Sequence, residues 1–473
     1  MQSTAHAFKD NIGPALADPT LQKALGMART GFPPKRLAAI ERLPEFEALR
    51  EEGRRIKNHA LEHLDFYLEA FERRVLEHGG KVHWCRTPAE ARDTILAICR
   101  SVDAKTVTKG KSMIAEEIAL NDFLEENKIA PVETDLGEYI IQLRHEPPSH
   151  IIAPAIHLLK GQVEESFRSN HAELDPARNL AEAQSLTDEA RQILRPKFLA
   201  ADVGITGANF LVAETGTSVI VTNEGNGDLT QVLPRVYIVL AAIEKLTPTL
   251  EDVSQIMRLL ARSATGQDMS CYTTFTTGPR RRGDADGPEE YHVVVLDNGR
   301  SGMLGTEFQD MLRCIRCAAC MNHCPVYQAV GGHAYGSVYP GPMGAVLTPT
   351  LAGIAEAGQL PNASTFCGRC ESVCPMRIPL PKMMRHWRER EFERHLSPRV
   401  YRYGLGFWAF FAKRPRLYQF FTRLAVRVLA NRGMDRGRFH SLPLAGGWTG
   451  HRDFPVPEGR TFQEMWAERR KAG

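Results

Sequence analysis

No run of about 18 apolar residues occurs anywhere in the 473 residues, which excludes a membrane-spanning helix. The opening Met-Gln-Ser-Thr-Ala-His-Ala-Phe-Lys-Asp also lacks the apolar core of a secretory signal. No G-x-G-x-x-G follows a predicted strand, so a dinucleotide fingerprint is missing. Lys109-Gly-Lys-Ser112 has the closing residues of a phosphate loop, but Lys105 stands where the upstream glycine is needed, which argues against a true nucleotide loop. Charge of one sign is not in excess: 59 Lys and Arg meet 56 Asp and Glu, a net +3, and with no recognised binding module nucleic acid is not an expected partner. Structural disulfides are not expected either. Seven of ten cysteines crowd into one region, leaving Cys85, Cys99 and Cys271 scattered, and thiolate-held metal points to a reducing, cytoplasmic compartment with any membrane contact peripheral.

What is present is a pair of cysteine runs. Cys314-Ile-Arg-Cys317-Ala-Ala-Cys320-Met-Asn-His-Cys324-Pro325 is C-x2-C-x2-C-x3-C-P, and Cys367-Gly-Arg-Cys370-Glu-Ser-Val-Cys374-Pro375 follows. The first is the bacterial iron–sulfur spacing, in which the fourth cysteine ligates the other cluster of a pair. Three thiolates two residues apart can curl around three corners of one cubane, and the proline turns the chain away. Zinc is the alternative, but it takes spaced Cys or Cys/His pairs in a tetrahedron, which seven cysteines in this pattern fit poorly. Crossed ligation assigns Cys314, Cys317, Cys320 and Cys374 to cluster one, and Cys324, Cys367 and Cys370 to cluster two. A full second copy would carry cysteine at 364, where Ser364 stands. The fourth iron of cluster two is then held by Ser364, by water or another ligand, or is absent, as in a three-iron cluster.

Around this centre the chain divides by pattern. The first 75 or so residues read as helices of a packing or assembly arm, with Asp18-Pro19-Thr20 as a helix start and Leu61, Leu64, Leu68, Phe71 and Val75 at helical spacing. From about 78 to 297 strands and helices alternate. Predicted strands are Lys81–Trp84, Thr106–Thr108, Pro131–Thr134, Tyr139–Leu143, Phe210–Ala213, Thr217–Thr222, Val236–Ala242 and Tyr291–Leu296; predicted helices include Pro88–Arg100, Ser112–Leu124 and much of 152–195. The pattern is that of an α/β layered domain with a mostly parallel sheet.

Three stretches of that domain can carry chemistry. Lys109, Lys111 and Ser112 form either an anion site or a plain helix cap. Asn209, Glu214, Thr215, Asn223 and Glu224 lie in two polar, glycine-rich turns that can meet at one edge of the sheet, where ligands of α/β folds commonly sit. Glu214 and Glu224 are candidate general bases, although turn chemistry alone accounts equally for Asn-Gly-Asp. Arg280-Arg-Arg282 reads as a solvated loop, with an anion or docking patch as the alternative.

Gly299–Gly305 reads as the linker into the cysteine region. Its insert, Gly331 to Gly344, is too rich in glycine and proline for one continuous helix. Small residues there let backbone amides approach sulfur, while Tyr335, Tyr339 and Met343 can exclude water; His333 is a packing or hydrogen-bonding residue as readily as a functional one. Between Lys382 and His440 stand 15 Lys and Arg against four acids, interleaved with aromatics such as Phe407, Trp408, Phe410 and Phe411. Such a segment can lie on an anionic membrane surface, cover a redox partner or pack on the protein itself.

Two clusters can pass on the electron pair released by oxidising an alcohol, but taking the hydride needs an organic cofactor and a base. The residues alone therefore point to an electron-transfer subunit, with a redox sensor or scaffold whose α/β domain binds a metabolite as the other class.

Val107-Thr-Lys-Gly-Lys-Ser-Met-Ile-Ala-Glu-Glu117, Ala213-Glu-Thr-Gly-Thr217 to Gly227, Gly331-Gly-His-Ala-Tyr-Gly336, Tyr339-Pro-Gly-Pro342 and both cysteine runs together resemble the lactate utilization protein B family, iron–sulfur subunits of a bacterial L-lactate-oxidising system. The resemblance covers nearly the whole chain in order. It implies an N-terminal helical arm (1–77), an α/β lactate-utilization domain like the sugar-phosphate isomerase and coenzyme A transferase group (78–298), an α-helical ferredoxin-type domain (299–381) and a basic C-terminal region specific to the family (382–473). It also implies two four-iron clusters, lactate utilization proteins A and C as partners, and an electron-transfer role in oxidising L-lactate to pyruvate rather than a complete enzyme. The downstream acceptor is not implied, and another 2-hydroxy acid such as glycolate is the alternative substrate. The family pattern likewise gives cluster two only three cysteines. The Cys-Cys-Gly motifs of heterodisulfide-reductase-like subunits are absent.

Overall fold

Apolar runs punctuated by helices become, in a computed structural model of the chain, a six-stranded sheet in which every neighbouring pair runs parallel. The structure describes residues 3–433, 437–443, 445–450 and 452–472. It divides into Met1–Glu391 and Phe392–Gly473.

In chain order the strands of the first unit are β1 (Lys81–Cys85), β2 (Thr106–Gly110), β3 (Ala130–Glu133), β4 (Val203–Gly207), β5 (Phe210–Val212), β6 (Thr217–Thr222), β7 (Val236–Ala242), β8 (Leu246–Thr247), β9 (Tyr272–Thr276) and β10 (Glu290–Leu296). The parallel sheet has the order β1-β10-β7-β4-β2-β3, and a second sheet has the order β8-β5-β6-β9. β7 is buried along its whole length, as a central parallel strand covered on both faces requires.

Several elements differ from the sequence pattern: β4, β8 and β9 are not among the predicted strands, and one predicted strand is a helix. Tyr139–Leu143, expected as a strand, is the second half of a helix, Leu136–Leu143. Its apolar run is bounded by Asp135, whose carboxylate accepts from Gly137 N (3.0 Å) and Glu138 N (3.4 Å), an N-cap that fixes the helix start. β4 has no apolar run to announce it, yet it lies between β7 and β2. Asp202 starts it by accepting from the amides of Lys105 and Thr106 at 2.7 and 2.9 Å. Gly204 lets a helix backbone close on it, since a Cβ there would stand 1.9 Å from the Thr230 carbonyl oxygen.

The N-terminal arm is four helices, Phe8–Ala17, Pro19–Glu41, Phe46–Glu62 and Leu64–Glu77. Asp18 caps the second as expected, accepting from Thr20 N and Leu21 N. Phe8, Phe46, Leu49 and Ile56 share one buried core with Met311, Leu312, Val373 and Met376 of the cysteine region. The arm is thus packed on the cysteine runs. Arg280, with a carboxylate partner in Glu289 at 2.8 Å, belongs to a largely exposed loop.

In the second unit the basic, aromatic stretch forms two helices, Arg399–Ala412 and Pro415–Gly433; 434–436 lie outside the described residues. Phe411 packs edge-on against Phe407 and Phe421 at 5.0 Å each. Arg423 holds Glu464 of helix Phe462–Ala472 at 3.2 Å. Among the described residues no helix is long and apolar enough to cross a membrane.

Candidate redox centre and the cavity beside it

The first cysteine run leaves a short 3-10 helix, Gln309–Arg313, and then winds through two left-handed residues, Arg316 (φ 59°) and Ala318 (φ 60°). Non-glycine residues in this region store backbone strain, which a surrounding fold must hold in place. The winding puts Cys314, Cys317 and Cys320 on one small cavity, and Cys374 of the second run lines the same cavity with Ile151, Met343 and Ile378. Cys324 stands apart, on another cavity with Cys367, Cys370 and Ser364.

The two cavities differ in exposure. Cys317, Cys320 and Cys374 are buried and Cys314 is partly so; at the other cavity Cys324 and Cys370 are buried and Cys367 alone is exposed. Backbone amides turn toward sulfur at both: Ile378 N donates to Cys374 Sγ at 3.5 Å, and the Val326 and Tyr327 amides reach Cys324. Ser364 Oγ already accepts from Phe366 N at 3.1 Å.

The donor set fits iron–sulfur clusters. Burial and then neighbouring thiolates push Cys320 well above the usual thiol range, and burial takes Cys374 up to about 11 and Cys370 to about 12. Such thiols carry charge only beside a strong cation. Tyr335 supplies a second observation. Its hydroxyl is buried without a hydrogen-bond partner among the described residues, near enough to Cys324 and Cys320 for their charge to raise its pKa after burial has done so. A cluster sulfur would supply the missing acceptor.

Basic side chains gather on the Cys374 side. Arg50 donates to the Cys374 carbonyl at 2.7 Å and the Ser372 carbonyl at 3.0 Å, and Arg36 donates to Val373 O at 2.9 Å. Lys57 is fully enclosed, donates to the Glu244 and Leu246 carbonyls at 2.6 and 2.8 Å, and is lowered to about 7 by burial, with Glu244 opposing.

A larger cavity of about 140 Å³ opens at the carboxyl ends of β2, β4 and β7. Lys111 and Ser112 line it after β2, Asn209 after β4, Glu244 and Lys245 after β7, with Asn223, Arg300, Arg316 and Tyr339 completing it. Ile151 lines both this cavity and that of the four cysteines, so the two adjoin at that residue. The segment carrying Ile151 is pinned from two sides. Gly332 presses on it so closely that a Cβ would lie 1.8 Å from Ser149 O. His150 accepts from the amides of Ile152 and Ala153 at 3.1 Å through Nδ1, which leaves the Nε2 proton for Asn322 Oδ1 at 3.1 Å. Burial lowers His150 to about 4 and keeps it neutral.

A buried ionic chain closes one side of this cavity. Tyr339 donates to Glu117 at 2.7 Å, and Arg300 holds Glu117 (2.6 Å) and Glu244 (3.0 Å). Glu244 in turn accepts from Arg316 at 2.8 Å, and Arg316 stands between Cys314 and Cys317 in sequence. Burial opposes the charge on Glu244, but Arg300 and Arg316 overcome it and hold the carboxyl at about 2.

The residues singled out from sequence therefore separate. Lys111, Ser112, Asn209 and Asn223 line the cavity. Lys109 does not; its ammonium is fully buried between Glu116 (2.5 Å) and Glu133 (2.6 Å), which uses up the charge an anion would need. Glu214 is exposed and accepts from Leu250 N at 3.1 Å, Thr215 donates to Thr217, and exposed Glu224 is not on the cavity wall. His333 bonds the Pro147 carbonyl at 2.8 Å. Sequence reasoning passed over Arg36, Arg50, Lys57, Glu244, Lys245, Arg300 and Arg316. Only Arg316, inside Cys-Ile-Arg-Cys, carried a local signal; the others are single charges in ordinary helices and loops.

Comparison with known proteins adds the following. Residues 68–296 match the LUD domain, 310–378 the 4Fe-4S dicluster domain, and 369–471 the lactate utilisation protein B C-terminal family. Lactate utilization protein B of Bacillus pumilus is 43% identical over 100% of this chain and 99% of its own length. Lactate utilization protein B of Geobacillus thermodenitrificans is 44% identical over 95% of this chain and 94% of its own. Among solved structures, a DUF162 family protein from Deinococcus radiodurans aligns with 49% of this chain and 98% of its own at 17% identity, with a TM-score of 0.26.

Proposed function

This chain belongs to the lactate utilization protein B family, and we propose that it is the iron–sulfur electron-transfer subunit through which L-lactate is oxidised to pyruvate, acting with lactate utilization proteins A and C. The observation that carries the reading is the separation of seven cysteines onto two cavities of unequal exposure. Cys314, Cys317, Cys320 and Cys374 hold one four-iron cluster. Cys324, Cys367 and Cys370 would hold the other, with Ser364, on the same cavity, the candidate for its fourth ligand. When bound, such clusters accept and release single electrons.

The rest of the work falls to the chain. Arg36, Arg50 and Arg316 place positive charge around the enclosed site, which favours the more reduced, more negative form there. Ile151, Met343 and Ile378 keep water from it. The exposed Cys367 edge is the side from which a partner can exchange electrons.

The test is spectroscopic. In an anaerobic reconstitution with proteins A and C, L-lactate is expected to bleach the visible iron–sulfur absorbance of this subunit, and a downstream oxidant to restore it. Clusters that respond to dithionite but never to lactate would sink the proposal. A second outcome concerns Tyr335. Removing its hydroxyl in Tyr335→Phe is expected to lower the reduction potential of a cluster at unchanged iron content, because hydrogen bonds to sulfur favour the reduced state. An unaltered potential in both clusters would remove Tyr335 from this role.

A further inference from the structure

We infer that the 140 Å³ cavity beside the four-cysteine site binds a small monocarboxylate of the 2-hydroxy or 2-oxo acid class. The inference rests on the reading above for the identity of the acid, but its physical basis lies in the cavity. Its position outside the carboxyl ends of parallel strands is where α/β sheets place ligands. A single water needs about 10–15 Å³ of such space, so there is room for a molecule of several non-hydrogen atoms.

Charge sets the ligand class. Four cations line the cavity: Lys111, Lys245, Arg300 and Arg316. Three carboxylates pair with them: Asp135 with Lys111 at 3.5 Å, Glu117 with Arg300, and Glu244 with Arg300 and Arg316. Glu224 also bears on Lys111, so the positive charge left over for a ligand is that of Lys245 and the unpaired edge of Arg316, which suits a single carboxylate. Two donors are uncommitted. Lys245 has no hydrogen bond or ion pair among the described residues, and Arg316 Nη1 is buried without a hydrogen-bond partner. An orphaned buried donor costs of the order of 1–3 kcal/mol, more when charged, and a carboxylate against Arg316 Nη1, with the half-buried Lys245 beside it, would remove that cost. Ile152 and Leu260 give the acid's short carbon chain an apolar wall, and Asn209 offers an amide to its hydroxyl or keto oxygen. Arg316 and Lys245 also feel the charge of Cys314, so an anion on them is sensed at the four-cysteine site.

The experiment uses the cluster-loaded full chain, kept anaerobic. Sodium pyruvate, L-lactate, propane-1,2-diol and inorganic phosphate are titrated separately, followed by saturation-transfer NMR and by the potential of each cluster. Pyruvate or lactate is expected to bind and to move the potential of one cluster downward, as an added anion must. Lys245→Gln, with iron content unchanged, is expected to weaken binding about tenfold or more, the usual worth of a charge-assisted hydrogen bond. No binding of either acid overturns the inference, as does phosphate or the neutral diol binding as tightly. Because lactate-driven bleaching in the reconstituted complex is read separately, bleaching without binding here discards the cavity assignment and leaves the electron-transfer role standing. Binding without bleaching does the reverse.

Discussion

Arg300→Leu is expected to cost about 3–5 kcal/mol of unfolding free energy, read as a lower urea midpoint with the far-ultraviolet spectrum of the native fold retained in buffer. The guanidinium is fully buried, held by Glu117 at 2.6 Å and Glu244 at 3.0 Å. Leucine fills part of the volume but leaves two buried carboxylates without their shared counter-ion. Most of the loss is that desolvated charge rather than the worth of the pair itself. Adding Glu117→Gln to Arg300→Leu should therefore cost less than the two separate losses summed, since the second change removes one stranded charge. A loss below about 1 kcal/mol for Arg300→Leu would show that water reaches the site. The same chain predicts acid sensitivity. Glu244 sits at about 2 in the folded protein against an ordinary 4.5, so its contribution is complete above about 4.5 and drains away as pH falls toward 2.

The second large effect concerns wiring. Cys374→Ala and Cys320→Ala are each expected to abolish the same electron paramagnetic resonance signal, although the two residues belong to different cysteine runs. Iron is expected to fall from about eight atoms to about four, as loss of one of two four-iron clusters requires. Cys370→Ala is expected to remove the other signal, and lactate-dependent reduction to fall to background in all three. If Cys374→Ala and Cys370→Ala instead remove one common signal, each run serves its own cluster and crossed ligation is wrong. Ser364→Ala adds a finer reading: a changed signal from the Cys324, Cys367 and Cys370 site, with the other untouched, marks the serine oxygen as ligand.

How much of this was legible beforehand depended on whether the signal was local. Cysteine spacing is local, because the curl around a cubane dictates it within a few residues. The apolar runs of β7 and β10 are equally direct. β4 is held by Asp202 on neighbouring amides and by the space left at Gly204, and neither leaves an apolar pattern. Tyr139–Leu143 failed the other way: its apolar run invited a strand, while Asp135 decided for a helix. The polar candidates show a third limit. Lys109 and Lys111 are two residues apart at the end of β2, yet Glu116 and Glu133 neutralise the first and the cavity receives the second. Which charge is spent internally is a property of the fold, and the unspent Lys245 could only be found once its surroundings were known.

The arm has a consequence for how the molecule matures. Arg50 closes on the carbonyl of Cys374, a residue 324 positions later. During synthesis the arm emerges first and can meet the α/β domain, through Lys57 on the Glu244 and Leu246 carbonyls, but its Arg50 contact has no partner until the last cysteine run has left the ribosome. Contacts of such sequence separation form late, because the loop they close must be paid for in entropy first. Arg50 therefore ties the second cysteine run to the arm only once the whole cysteine region is in place.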